Sequence, residues 1–134
     1  MSQENVEVPE PVRRLFAAFN KRDWAAFSAE LDPEVEYAPV EEDATYRGAE
    51  AFTQYLDRWL EAWATFTAEV EEIQNTPTED HAFLAIRLGG MGHGSGIEIY
   101  DPFFWVMVLR GGKVFRISEY TTRADALEAV GLRE

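Results

Sequence analysis

The segment 97–121 constrains the fold of this chain more than any other stretch, because it has the sequence of a long β-hairpin. Two runs rich in aromatic and β-branched residues, 97–109 and 113–121, flank a turn that contains Gly111 and Gly112. Glycine readily adopts the positive φ angles that a tight hairpin turn requires. The pattern therefore predicts two adjacent antiparallel strands.

The first strand of this hairpin is apolar on both faces. Side chains alternate across a strand, so one face would carry Phe103, Trp105, Met107 and Leu109, and the other Phe104, Val106 and Val108. A strand of this kind must be covered on both sides. On the second strand, Glu119 follows Phe115 and Ile117 at alternate positions, which predicts a carboxylate on a buried sheet face.

Length and composition favour one domain, 1–134, with a dense core. The chain has 134 residues, of which 46% are hydrophobic, and it has no cysteine. The first eleven residues are acidic and polar, so we expect neither a signal peptide nor a membrane partner. The absence of thiols is compatible with a reducing compartment, and we expect a cytoplasmic protein.

The net charge of −13 restricts the class of partner. Nucleic acid is an unfavourable partner, because phosphate binding relies on clustered lysine and arginine. A neutral or cationic small molecule suits this charge better than a polyanion. We expect no cofactor and no metal, since the two histidines and the acidic residues show no ligand spacing.

Hydrophobic periodicity predicts the remaining elements. Helices are expected over 11–20, 24–31 and 49–63. The first has an apolar stripe of Val12, Leu15, Phe16 and Phe19, and Asp23 can cap the second. A last short helix is opened by Thr122, and its inward residues are Ala124, Leu127 and Val130. Strands are expected over 35–39, 66–73 and 81–88, with a loop at 40–48 and a turn at 75–80. Helices followed by consecutive strands predict an α+β fold, with helices on one face of a curved antiparallel sheet.

Three segments of the chain resemble the nuclear-transport-factor-2-like superfamily and, within it, the SnoaL-like polyketide cyclase group. They are VRRLFAAFNKRDWAAFSAELDPEVEY, YRGAEAFTQYL and LRGGKVFRISEYTTRADALEAVG. The resemblance implies a cone-shaped sheet wrapped around helices, with an apolar pocket at its open end. It also implies a homodimer formed through the outer sheet face. The fold hosts many chemistries, so family membership alone does not assign a reaction.

Comparison with the activities of this fold singles out a few positions. Ketosteroid isomerases would have a catalytic tyrosine at Leu15 and a general base at Ala38, so that activity is disfavoured. The catalytic aspartate of limonene-epoxide hydrolases aligns with Glu119, and their Arg-x-Asp motif meets Arg87-Leu88-Gly89, which lacks the second carboxylate. SnoaL-type cyclases carry an acid at Glu119 and a histidine in a segment that resembles Gly92-His93-Gly94.

The resulting catalytic hypothesis assigns three roles. Glu119 would move a proton, while His93 and Arg87 would polarise or steady a substrate oxygen. Each residue also has a structural explanation: a surface turn for His93, and an ion pair between Arg87 and Glu119. The expected pocket lining comprises Phe16, Tyr37, Tyr55, Trp59, Trp63, Asp101, Phe103, Trp105 and Ile117.

Two classes of function remain open on the sequence. One is an acid/base enzyme, such as a cyclase, an isomerase or an epoxide hydrolase, acting on a small apolar or ring-containing molecule. The other is a non-catalytic module of the same fold that binds a small ligand or dimerises. A third, an assembly domain whose interior is packed shut, is less favoured.

Overall fold

A computed structural model of the chain describes residues 8–40, 42–76 and 80–132. The predicted turn at 75–80 and the predicted loop at 40–48 lie partly outside these residues. Within the described part the elements are α1 (Glu10–Lys21), α2 (Trp24–Ala29), β1 (Leu31–Ala38), β2 (Tyr46–Arg47), α3 (Ala49–Leu60), β3 (Trp63–Asn75), β4 (His81–Gly92), β5 (Glu98–Arg110), β6 (Lys113–Tyr120) and α4 (Arg123–Ala129).

The strands form one sheet in the order β2-β1-β6-β5-β4-β3. Neighbouring strands are antiparallel except β1 and β6, which run parallel. The predicted α+β class is therefore confirmed, with one correction: the sheet is mixed rather than wholly antiparallel. β1 and β6 are far apart in the chain, so the local patterns that reveal hairpins could not reveal their pairing.

The β5–β6 hairpin forms as predicted, around Gly111 (φ 59°) and Gly112 (φ 78°). Its register shifts by one residue close to the turn, where Leu109 pairs with Val114 but Val108 pairs with Arg116. Phe115 is thus the extra residue of a β-bulge on β6.

The bulge corrects one sequence-based expectation. Val114 and Ile117, on either side of it, are both buried in the main core, and Glu119 shares their side of the sheet. Phe115 does not belong to that core but is half-buried, with the guanidinium of Arg110 3.9 Å above its ring. A bulge interrupts the alternation of side chains between the two faces. The expectation that Phe115 shares a face with Ile117 and Glu119 is therefore wrong.

The main core lies between the inner sheet face and helices α1 to α3. The predicted apolar stripe of α1 is buried there: Val12, Leu15, Phe16 and Phe19. Both α2 and α3 end earlier than predicted, because Leu31 joins β1 and Trp63 joins β3. Asp23 caps α2 as expected, accepting a hydrogen bond from the backbone N–H of Ala26 at 3.1 Å.

Helix α4 covers part of the outer sheet face. Its residues Ala126, Leu127 and Val130 pack in a second apolar cluster with Phe83, Ala85 and Val106. The predicted inward residue Ala124 is exposed, and Ala126 occupies that position instead. The second apolar face of β5 is therefore covered by the end of the chain itself.

An ion pair joins α4 to β3. Two guanidinium nitrogens of Arg123 donate to the Glu72 carboxylate at 2.9 and 2.6 Å. These hydrogen bonds hold the pKa of Glu72 below its ordinary value.

Glycines in β4 permit a close approach of the neighbouring strands. A Cβ atom on Gly90 would lie 2.0 Å from the carbonyl oxygen of Thr65, and one on Gly89 would lie 2.0 Å from that of Ile99. The clashes are with backbone, which cannot rotate away. Gly92 offers more room, since its nearest neighbour would be the Ser95 hydroxyl at 3.3 Å.

We predict that Gly90→Ala lowers the free energy of unfolding by about 1–3 kcal/mol, the usual cost of overpacking. Gly92→Ala, the matched control in the same strand, should change it by much less. Urea unfolding followed by circular dichroism measures both. Equal stability of the two variants would show that β3 does not approach β4 as closely as described.

Candidate functional site

A cavity opens between the helices and the inner face of the sheet. The space between its walls, counted together with its opening, is about 560 Å³. Its lining residues are Leu15, Phe16, Phe19, Phe27, Tyr37, Tyr55, Leu56, Trp59, Phe66, Ala68, Leu88, Phe103, Trp105 and Glu119. The lining is apolar and aromatic with one carboxylate, a composition typical of small-molecule sites.

Glu119 is the charged residue of this wall. It is 8% exposed, and each of its oxygens accepts hydrogen bonds from the protein. The Trp105 indole N–H donates at 2.9 Å and the Tyr37 hydroxyl at 3.3 Å, both to Oε2. The backbone N–H of Val40 donates to Oε1 at 3.2 Å. Hydrogen bonds donated to a carboxylate favour its ionised form and fix its orientation.

The donors come from different parts of the fold. Trp105 lies directly opposite Glu119 in the β5–β6 ladder, so its indole shares the inner face. Tyr37 reaches the same carboxylate from β1, whose parallel pairing sets Tyr37 beside Ile117 and Ala38 beside Ser118. The Tyr37 ring is held in turn by stacking on Phe52, with 4.5 Å between ring centroids.

Six of the nine residues expected to line the pocket are found around the cavity: Phe16, Tyr37, Tyr55, Trp59, Phe103 and Trp105. The other three lie elsewhere. Ile117 is fully buried in the core beneath the site, and Trp63 packs behind the lining against Trp59 and Phe66. Asp101 is exposed and is not part of the lining, although it pairs with the lining residue Leu88 on β4.

His93 and Arg87 do not meet Glu119. His93 is exposed just beyond the end of β4, whereas Leu84 of the same strand pairs with Trp105 beside the carboxylate. The intervening residues span roughly 30 Å of extended chain. Arg87 alternates with the outward Ala85, is exposed, and stacks its guanidinium 4.4 Å from the Tyr100 ring centroid. The proposed grouping of these two residues with Glu119 is therefore wrong.

Several site groups escaped the sequence analysis. The lining residues not foreseen are Leu15, Phe19, Phe27, Leu56, Phe66, Ala68 and Leu88. The α1 residues among them belong to a recognisable amphipathic stripe, but periodicity does not separate residues that fill a core from residues that border a hollow. The Val40 N–H gives no sequence signal, since every residue except proline carries one.

Two negative findings concern the described residues only. Within 8–40, 42–76 and 80–132, no three histidine, aspartate or glutamate side chains are grouped so that they could hold a metal ion. No helix in the same ranges combines the length and apolar character needed to cross a membrane.

Comparison with known proteins places this fold and cavity in a family. The sequence matches the SnoaL-like domain over residues 12–117, which is most of the chain. The chain belongs to the SnoaL-like domain family. A search of curated protein sequences finds no significant match.

Solved structures of low sequence identity share the fold of this SnoaL-like chain. A hypothetical protein with a ketosteroid isomerase-like fold from Catenulispora acidiphila DSM 44928, in complex with trimethylamine, is 19% identical. Its TM-score is 0.76, and 94% of this chain and 95% of that chain are covered. TerC co-crystallised with polyporic acid is 16% identical with a TM-score of 0.73, covering 90% and 95%. An LEH-like epoxide hydrolase of M. tuberculosis is 14% identical with a TM-score of 0.67, covering 90% and 86%. Identities this low establish the fold and not the activity.

We predict that Tyr37→Phe lowers the free energy of unfolding by about 1 kcal/mol, because it removes a hydrogen bond to a buried carboxylate and keeps the stacked ring. In a Glu119→Gln background the same change should cost less, since the charge that strengthens the bond is gone. A double-mutant cycle from urea unfolding measures the coupling. Full additivity would show that the Tyr37 hydroxyl does not stabilise the carboxylate.

Proposed function

We propose that this SnoaL-like chain binds a small, largely apolar, ring-containing molecule in its cavity and that Glu119 transfers a proton to or from it. The observation that carries the proposal is the position of Glu119, a carboxylate 8% exposed on a wall whose other residues are uncharged. A carboxylate held in place by donors from the protein is oriented before a ligand enters.

Proton transfer is the chemistry that suits one fixed carboxylate in apolar surroundings. A positioned acid or base typically accelerates a reaction ~10²–10⁴-fold. This is sufficient for substrates with an acidified C–H bond beside a carbonyl, as in ring closure and isomerisation, or for activating water towards an epoxide. The structures of the same fold with trimethylamine and with polyporic acid, and the epoxide hydrolase, support small-molecule binding by proteins of this fold.

Tyr37 supports Glu119 in a different way from the one that the sequence suggested for His93 and Arg87, which was to polarise or steady a substrate oxygen. Its hydroxyl donates to Glu119 and its ring borders the cavity. We assign it the task of keeping the carboxylate aimed at the ligand, together with the indole of Trp105.

A second candidate is a binding module without catalysis. The observation that favours it is that both Glu119 oxygens already accept hydrogen bonds from the protein. A base must give up part of such stabilisation when it takes a proton, whereas a binding group need not. The two functions differ in whether a proton leaves the ligand.

Proton abstraction can be tested without knowing the natural substrate. We predict that the protein accelerates C–H to C–D exchange in small cyclic ketones such as cyclohexanone and 2-indanone in D₂O, followed by ¹H NMR. Glu119→Gln should abolish the acceleration, and the matched surface variant Glu128→Gln on α4 should retain it. Circular dichroism and melting curves establish that both variants fold.

The same compounds distinguish the two candidates in a thermal-shift assay, because a ligand at 100 times its Kd adds ~2.7 kcal/mol of stability. Stabilisation without exchange would favour the binding module over the enzyme. If no ring compound stabilises the protein and none undergoes accelerated exchange, both candidate functions are contradicted.

We further propose that two copies associate through the outer sheet face, near the start of β5. Three of the large exposed apolar side chains of the described residues lie at or next to the start of β5, on one face or the other: Ile97 (61%), Ile99 (47%) and Tyr100 (40%). Tyr100 pairs with Gly89 and lies with Arg87 on the outer face, whereas Ile99 alternates to the other side. Clustered exposed apolar residues are typical of protein interfaces.

We predict a dimer by light scattering that Tyr100→Arg dissociates. Ile99→Arg, the adjacent control on the opposite face, should leave the dimer intact. A monomeric wild-type protein would contradict this assembly, and dissociation by the control alone would place the interface on the other side.

A further inference from the structure

We infer that the ligand of this cavity is a cation, a small organic ammonium ion whose apolar substituents pack on the aromatic wall while its charge lies beside Glu119. The inference rests on the proposed function in using the same cavity as the ligand site. It adds the charge of the ligand, which the proposed function leaves open.

The first observation is the density of aromatic rings around the carboxylate. Nine lining residues are aromatic: Phe16, Phe19, Phe27, Tyr37, Tyr55, Trp59, Phe66, Phe103 and Trp105. The Trp105 ring centroid lies 5.6 Å from that of Phe16 and 6.2 Å from that of Tyr37, whose centroid is 5.5 Å from that of Tyr55. Ring faces carry negative electrostatic potential and attract cations within about 6 Å, and tryptophan does so most strongly.

The second observation is the sign of charge on the wall. The lining combines one carboxylate with thirteen uncharged residues, and the donors that we find on that carboxylate are a phenol, an indole and a backbone amide. Each of these three donors is uncharged. In surroundings of low polarity a negative charge attracts a cation much more strongly than it does in water.

The third observation is the charge of the whole protein, −13. A field of this sign raises the local concentration of cations and repels anions. An anionic ligand would be repelled by the net charge of the protein as it approaches, and by the Glu119 carboxylate within the cavity. A neutral ligand would gain apolar contact alone. The aromatic wall, the Glu119 carboxylate and the negative net charge of the protein therefore all favour a cationic ligand.

A matched pair of probes tests the inference. Choline and 3,3-dimethylbutan-1-ol have the same shape and hydroxyl group, and only choline carries a charge. We expect titration calorimetry at fixed ionic strength to show that choline binds at least tenfold more tightly than the alcohol. Glu119→Gln should remove most of that difference, whereas Glu128→Gln, which changes the net charge equally at an exposed site on α4, should retain it.

A second variant keeps the test independent of the carboxylate. Trp59→Leu removes an aromatic face from the wall and keeps an apolar side chain, so it should weaken choline more than the alcohol. Melting curves of each variant establish that it folds.

Equal or weaker binding of choline relative to the alcohol would overturn the inference, and so would failure of both probes to bind. Equal losses in Glu119→Gln and Glu128→Gln would also overturn it, because the attraction would then come from the net charge of the protein surface. None of these results decides the proposed function, since exchange and thermal stabilisation with neutral ketones test it separately.

Discussion

The extra residue at Phe115 determines which way the candidate site faces. Without it, the pairing of Arg110 with Lys113 would continue along the hairpin and set Glu119 opposite Phe104, on the outer face of the sheet. A register change of one residue moves every following side chain to the other side. The bulge instead sets Glu119 opposite Trp105. The carboxylate therefore lies in the cavity wall among aromatic side chains rather than on the outer face.

Because the Glu119 carboxylate is buried in the cavity wall, its neighbours must supply hydrogen-bond donors. A buried charge is costly unless polar groups of the protein replace the water that it has lost. Three elements meet this need together: β5 through an indole, β1 through a phenol and the segment after β1 through a backbone amide. This explains the value of the parallel β1–β6 pairing, which brings Tyr37 and Val40 close to the end of β6.

The sequence predicted the parts of the fold that depend on local pattern. The apolar stripe of α1, the capping residues Asp23 and Thr122 and the Gly-Gly turn are each encoded within a few residues, and the structure has all of them. The two-residue strand β2 and the β1–β6 pairing depend on contacts between distant segments, which periodicity does not record.

Of the candidate site, too, the sequence predicted only the features that are encoded within a few residues. Glu119 stood out because a carboxylate within an apolar hairpin is chemically unusual, and the aromatic residues of α1 and α3 marked much of the wall. His93 and Arg87 were grouped with it through family resemblance. His93 lies too far along β4 to reach Glu119. Arg87 points to the outer face of the sheet, because side chains alternate between the faces. Both depend on the register between strands, and register is what the bulge at Phe115 changes.

The aromatic wall also links ligand binding to stability. Tyr37, Tyr55 and Phe16 are buried in the core and line the cavity as well, so the same rings hold the helices to the sheet and face the ligand. Atoms that face a hollow lack the dispersion contacts of a packed interior. A ligand that fills the space restores those contacts, so its binding must stabilise the folded chain. Stacking of Tyr37 on Phe52 and packing of Phe16 against Trp105 hold two of these rings at the cavity wall.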